Sequence, residues 1–152
     1  MKLQKGMKAP DFTLADNQDG QVKLSDLRGK RVLLSWHPLA WTSVCTDQMR
    51  ALEANYSRFE ELNTVPIGLS VDSAASKKVW AQVLSIRKTT LLSDFFPHGK
   101  VAQDWGLFLE ELGASGRANI ILDEEGVIQW FKVYETSKLP DLNEVFEVLK
   151  SL

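Results

Sequence analysis

Apolar positions recur along the chain with two periods, and the switches between them mark the elements. Phe12-Thr13-Leu14 and Val22-Lys23-Leu24 alternate with period two around Asp16-Asn17-Gln18-Asp19-Gly20, which predicts a hairpin whose turn takes its positive φ from Gly20. Ser25-Asp26-Leu27-Arg28-Gly29 reads as a short turn or helical cap. Arg31 to Trp36 is an apolar run of strand length, buried on both faces. From Thr42 to Leu62 the period lengthens: Met49, Leu52, Tyr56, Phe59 and Leu62 recur every three or four residues and predict one amphipathic helix. Val65 to Val71 reads as the next buried strand. Ser73 is placed to cap a helix carrying Val79, Trp80, Val83 and Leu84. Thr89 to Leu92 reads as a short strand, and Val101 to Trp105 as a helical turn stopped by Gly106. Ala118 to Leu122 and Val127 to Tyr134 flank Asp123-Glu124-Glu125-Gly126 as a second hairpin. Asp141 and Glu144 resemble a capping box before the apolar face Leu142, Val145, Phe146 and Leu149 of a last helix.

Strands alternating with helices imply parallel strands joined by helical crossovers, and the hairpins add antiparallel pairing. The expected architecture is α/β, a mixed central sheet with helices on both faces and an N-terminal β-hairpin extension. In such sheets function sits beyond the carboxyl ends of the strands, which draws attention to the segment after Trp36.

No linker, repeat or low-complexity stretch interrupts the 152 residues, so residues 1–152 are expected to form a single domain. Apolar residues make up 44% and charged residues 25%, enough for a packed core. The 18 basic and 20 acidic side chains are mixed along the chain, a pattern that suggests neither nucleic acid nor an anionic membrane as partner. Apolar runs fall far short of the ~20 residues of a membrane span. The opening lysines precede no apolar run, so no signal peptide is expected and a cytoplasmic location is. The two histidines, His37 and His98, lack metal-ligand spacing, and no metal or cofactor is expected. Gly113-Ala114-Ser115-Gly116 lacks the lysine and spacing of a phosphate loop.

The single cysteine, Cys45, excludes an internal disulfide, a dithiol pair and a multi-cysteine zinc site. It falls in His37-Pro38-Leu39-Ala40-Trp41-Thr42-Ser43-Val44-Cys45-Thr46, between a buried strand and the first turn of a helix, where unpaired N–H groups favour a thiolate. Thr42, three residues earlier, can face the sulfur across that turn, and Pro38 stiffens the loop. These residues alone leave two readings open: a reactive thiolate, or a small buried apolar side chain.

Pro38, Thr42 and Cys45 match the Pro-x-x-x-Thr/Ser-x-x-Cys pattern of the peroxiredoxins, which this chain resembles over almost its whole length. Ala9-Pro10-Asp11-Phe12-Thr13-Leu14, Leu24 to Lys30, Leu69-Ser70-Val71-Asp72-Ser73 with Trp80, and Leu91-Leu92-Ser93-Asp94 are similar to further family segments. The resemblance is to the AhpC/TSA group, of one-cysteine type, near its AhpE-like or BCP-like bacterial members. It implies a thioredoxin-like fold and a thiol-dependent peroxidase acting on hydrogen peroxide and organic hydroperoxides. Gly116 to Gly126 looks like the family segment with the active-site arginine, which gives Arg117 that role; taken alone, Arg117 reads as a surface residue. Catalytic positions implied are therefore Cys45, Thr42, Arg117 and Pro38. Position 50, where one family group has its resolving cysteine, is Arg50, so a Cys45 sulfenic acid would need an external reductant: a thioredoxin-like or glutaredoxin-like protein or a small thiol. Gln48 stands where many members have Glu, which weakens any link to an arginine. Trp80 resembles a position near the family's dimer contact and suggests a homodimer. A redox sensor or relay, passing oxidation from Cys45 to a partner protein, shares the first chemical step and stays open.

Overall fold

A computed structural model describes residues 1–152. Nine strands and five helices follow one another as β1 (Thr13–Asp16), β2 (Gln21–Lys23), β3 (Arg31–Trp36), α1 (Ser43–Ala54), α2 (Tyr56–Glu61), β4 (Thr64–Ser70), α3 (Ala74–Leu84), β5 (Thr90–Ser93), α4 (Lys100–Asp104), β6 (Phe108–Leu109), β7 (Ala114–Ser115), β8 (Arg117–Leu122), β9 (Ile128–Tyr134) and α5 (Leu142–Ser151). A 3-10 turn at Leu24–Leu27 precedes β3.

Seven strands form one mixed sheet in the order β2-β1-β5-β4-β3-β8-β9. β3, β4 and β5 run parallel, linked by helical crossovers, while β8 and β1 flank them antiparallel. The N-terminal hairpin thus continues the sheet through β1 and β5. Side chains alternate across β3: Val32, Leu34 and Trp36 enter one core with residues of α4 and the N-terminal segment, and Leu33 enters the other with residues of α1, α2, α3 and α5. That two-faced burial is why the strand reads as a continuous apolar run. Gly68 of β4 lets α1 lie close to the sheet, because a Cβ there would overlap the Met49 sulfur.

Local chemistry adjusts several expectations. The first turn takes its left-handed residue at Asp19 (φ 66°), not Gly20, since the Asp16 carboxylate accepts from the N–H groups of Gln18 and Gly20 at 2.8 Å and sets the loop. The expected helix from Thr42 to Leu62 divides at Asn55, whose side-chain amide donates to the Ala51 carbonyl at 2.8 Å and competes with the helical ladder. Ser73 caps α3 as expected, accepting from the Ser76 N–H at 3.2 Å. The buried residues of α3 are Lys77, Trp80 and Ala81, whereas Val79 and Val83 face solvent. Trp80 is 1% exposed and belongs to the core. Asp141 caps α5, but Glu144 pairs with Lys132 at 2.7 Å instead of closing a capping box. The two-residue ladder of β6 and β7 is too short to show in the hydrophobic pattern.

Candidate active site

β3 ends at Trp36, and the chain then turns through His37 and Pro38 into the loop that opens α1. Trp41 takes a left-handed backbone (φ 73°), an uncommon conformation for a bulky residue, and its indole N–H donates to Ser76 Oγ at 2.9 Å, tying the loop to α3. Thr42 caps α1 by backbone geometry alone, its hydroxyl donating to the Leu39 carbonyl at 2.7 Å. Cys45 is the third residue of α1, inside the turn whose N–H groups lack helical acceptors.

Its side chain is 1% exposed, at the floor of a cleft of about 240 Å³. Pro38, Thr42, Cys45 and Arg117 all line this cleft, with Leu39, Leu112 and Thr136 at its rim. A larger hollow of about 450 Å³ beside Asp16, Asp19 and Lys78 contains no nucleophile. Arg117, the first residue of β8, lines the cleft and is 2% exposed. Its Nη1 donates to the Cys45 sulfur at 3.4 Å and to Gln48 Oε1 at 2.6 Å. Its Nε and Nη2 grip the Thr136 carbonyl at 3.2 and 2.7 Å. Gln48 is itself held: its Nε2 donates to Ser35 Oγ at 2.7 Å and to the Trp36 carbonyl at 3.2 Å, and Ser35 donates to Asn119 Oδ1 at 2.7 Å. The guanidinium therefore cannot swing away from the sulfur without breaking several bonds. The four positions singled out in the sequence converge on one cleft, over a charge-assisted contact between an arginine and a thiol.

His37 lies outside the cleft. It is fully buried against the Trp80 ring, with centroids 5.5 Å apart. Burial holds its imidazole well below the usual range, helped by the nearby cations of Lys77 and then Arg117, so it is neutral. His98 is a surface loop residue whose Nε2 meets the Gly113 carbonyl at 2.7 Å. Sequence reasoning missed Lys77, which has no exposed surface. Its spacing from Trp80, Ala81 and Leu84 placed it on the inner stripe of α3, and that was the available signal.

Residues 5–131 match the model of the AhpC/TSA family. The chain belongs to the AhpC/TSA family. Among AhpC/TSA relatives, the alkyl hydroperoxide reductase E of Mycobacterium tuberculosis is 35% identical over 140 residues, 91% of each chain. A peroxiredoxin of Thermoplasma volcanium is 34% identical over 152 residues, covering 97% of this chain and 73% of its own. The reduced 2-Cys peroxiredoxin of Plasmodium vivax superposes with a TM-score of 0.89 at 27% identity, over 96% of this chain and 80% of that one. The fold of this AhpC/TSA protein is accordingly thioredoxin-like, as the resemblance implied.

Proposed function

We propose that this AhpC/TSA protein is a thiol-dependent peroxidase for hydrogen peroxide and small organic hydroperoxides, built as one domain around Cys45. The observation that carries the reading is the Arg117 Nη1 fixed 3.4 Å from the Cys45 sulfur at the floor of a solvent-open cleft. The guanidinium and the first turn of α1 stabilise negative charge on sulfur. The thiolate attacks the nearer peroxide oxygen in line with the O–O bond. A sulfur–oxygen bond forms, the O–O bond breaks, and the departing oxygen leaves with the electron pair and takes a proton from solvent. Cys45 becomes a sulfenic acid. The Thr42 hydroxyl is committed as donor to Leu39, which leaves its lone pairs to accept a hydrogen bond from the peroxide O–H. Arg117 donors already aimed at the site meet the charge that develops there, and Pro38 walls the cleft without offering an N–H of its own.

Cys45 is the only thiol, so the cycle closes with an external one: a thioredoxin-like or glutaredoxin-like protein, or a small thiol. A lone cysteine with no disulfide to make suits a reducing compartment such as the cytoplasm. Homodimer formation is supported by an apolar strip: Trp41 (51% exposed) bonds Ser76, and Val79 and Val83 continue from Ser76 along the same face of α3 at 50% and 64% exposure. Sedimentation of wild type against Val83→Asp tests it. Stopped-flow reaction of the reduced protein with hydrogen peroxide, followed by mass spectrometry of a sulfenic adduct, tests the chemistry. Sustained peroxide consumption with a defined thiol supports a peroxidase. One equivalent followed by stalling would instead mark a redox relay.

A further inference from the structure

Behind the cleft, a second polar cluster joins the ends of β3 and β4 to α3. Lys77 is fully buried, and its Nζ lies 2.6 Å from Ser70 Oγ and 3.3 Å from His37 Nε2. Ser70 directs its own hydroxyl proton to Asp72 Oδ2 at 2.6 Å, so it offers Lys77 a lone pair. Asp72 Oδ2 also accepts from the Ala40 N–H at 2.8 Å, within the loop between Pro38 and Thr42. His37 Nδ1 has no partner, and a proton placed there leaves Nε2 free to accept from Lys77. Both neighbours of Nζ thus present acceptors, as an ammonium requires.

Burial of such a charge is costly and persists only with compensation. The titratable groups around Lys77 are His37 after β3, Asp72 after β4, Asp94 after β5 and Cys45 on α1, with Arg117 of β8 beyond His37. Asp94 is pinned by the N–H groups of Val101 and Ala102 at 3.0 and 2.9 Å. Burial pushes Lys77 down to about 7, opposed by the negative charges of Asp72, Cys45 and Asp94. A thiolate at Cys45 favours the ammonium, and by reciprocity the ammonium favours the thiolate.

We propose that Lys77 is a positioning residue of the Cys45 site: a buried cation that, held by His37 and Ser70 and linked through Asp72 to the active-site loop, supplies a second positive charge behind the thiolate. The inference rests on Cys45 reacting as a thiolate. Conversion to a neutral sulfenic acid removes that partner, and Lys77 then releases its proton more readily.

The test is alkylation of Cys45 by iodoacetamide across pH in wild type, Lys77→Met and Lys77→Arg. Lys77→Met reacts roughly three- to ten-fold more slowly below neutral pH and converges with wild type at alkaline pH, where Lys77 is uncharged. Lys77→Arg, retaining a cation, stays closer to wild type below neutral pH. A folded Lys77→Met with the wild-type profile overturns the proposal. Should the variants fail to fold, carbon NMR titration of the Lys77 side chain in wild type and Cys45→Ser supplies the same answer: loss of the thiolate lowers the lysine midpoint, and an unchanged midpoint overturns the coupling. Alkylation needs no peroxide. A wild type that alkylates with the expected profile yet consumes no peroxide would remove the peroxidase reading and leave this one standing.

Discussion

Arg117→Met removes the guanidinium while keeping most of the apolar stem. Two unit charges 3.4 Å apart attract by about 5 kcal/mol at an effective dielectric of about 20. That is a ceiling, because the Arg117 charge is delocalised and already engaged with Gln48 Oε1 and the Thr136 carbonyl. A hydrogen bond to a charged group nets about 1.5–3 kcal/mol, which is the better measure here. At about 1.4 kcal/mol per tenfold in rate, peroxide attack near neutral pH falls roughly 10- to 150-fold. The structural cost is separable. Thr136 is exposed and its carbonyl regains water, whereas Gln48 is 3% exposed and its Oε1 is left without a donor. One buried acceptor stranded costs about 1–3 kcal/mol of stability, visible in the melting curve. The assay is stopped-flow tryptophan fluorescence of the reduced variant mixed with hydrogen peroxide, after circular dichroism shows it folded. A folded Arg117→Met reacting within about threefold of wild type would refute the argument, since it predicts at least a tenfold loss.

Cys45→Ser abolishes peroxide consumption while retaining the wild-type melting profile within about 1 kcal/mol, as expected when a small buried side chain is replaced by a near-isostere; retained turnover in a peroxide-depletion assay would sink the central assignment. Gly68→Ala forces a methyl against Met49 and Leu91, so it destabilises by about 1–3 kcal/mol in urea denaturation and slows peroxide attack by displacing α1, whereas an unchanged midpoint would mean that α1 is not closely seated. Lys77→Met changes the pH dependence of stability. With the folded value near 7 and the free amine at 10.5, the unfolded chain holds a proton between those limits that the folded chain has released, so this group destabilises fully below about 7 and the penalty fades as pH rises. The stability of Lys77→Met relative to wild type therefore declines between about pH 7 and 10, on the order of a few kcal/mol, and a difference constant with pH would contradict it.

The strands and helices were legible because each answers to a local period. β3 coincides with the run from Arg31 to Trp36, and the second hairpin with its acidic turn, since both depend on residues adjacent in sequence. Errors arose where a side chain overrode the period. Asn55 divided a helix by donating its side-chain amide to the Ala51 carbonyl, and the Asp16 carboxylate moved the left-handed residue from Gly20 to Asp19. The exposure of Val79 and Val83 marks a different limit: an apolar face that no element of the same chain covers has the same period as a core face, so periodicity cannot tell the two apart.

The site divides the same way. Pro38, Thr42 and Cys45 lie within eight residues and could be read as a motif, whereas Arg117 needed the resemblance, because nothing local says that a residue 72 positions away meets the sulfur. The supporting polar groups were hidden for a further reason. Gln48 was marked only by standing where many members have Glu, while Ser35, Asn119, Lys77, Ser70 and Asp72 each look like ordinary polar residues, and only pairing across β3, β4, β8 and α3 brings them together behind the site. Register is what aligns them: Ser35 stands opposite Gly68 on one side and Asn119 on the other, so β3 presents its single small polar residue where the central sheet meets the active-site helix. A slip of one residue would exchange Ser35 for Leu34 or Trp36 and turn its side chain to the opposite face. The orientation of Arg117 therefore depends on the register of the central strands, and strand pairing in this fold is part of what prepares Cys45 to react.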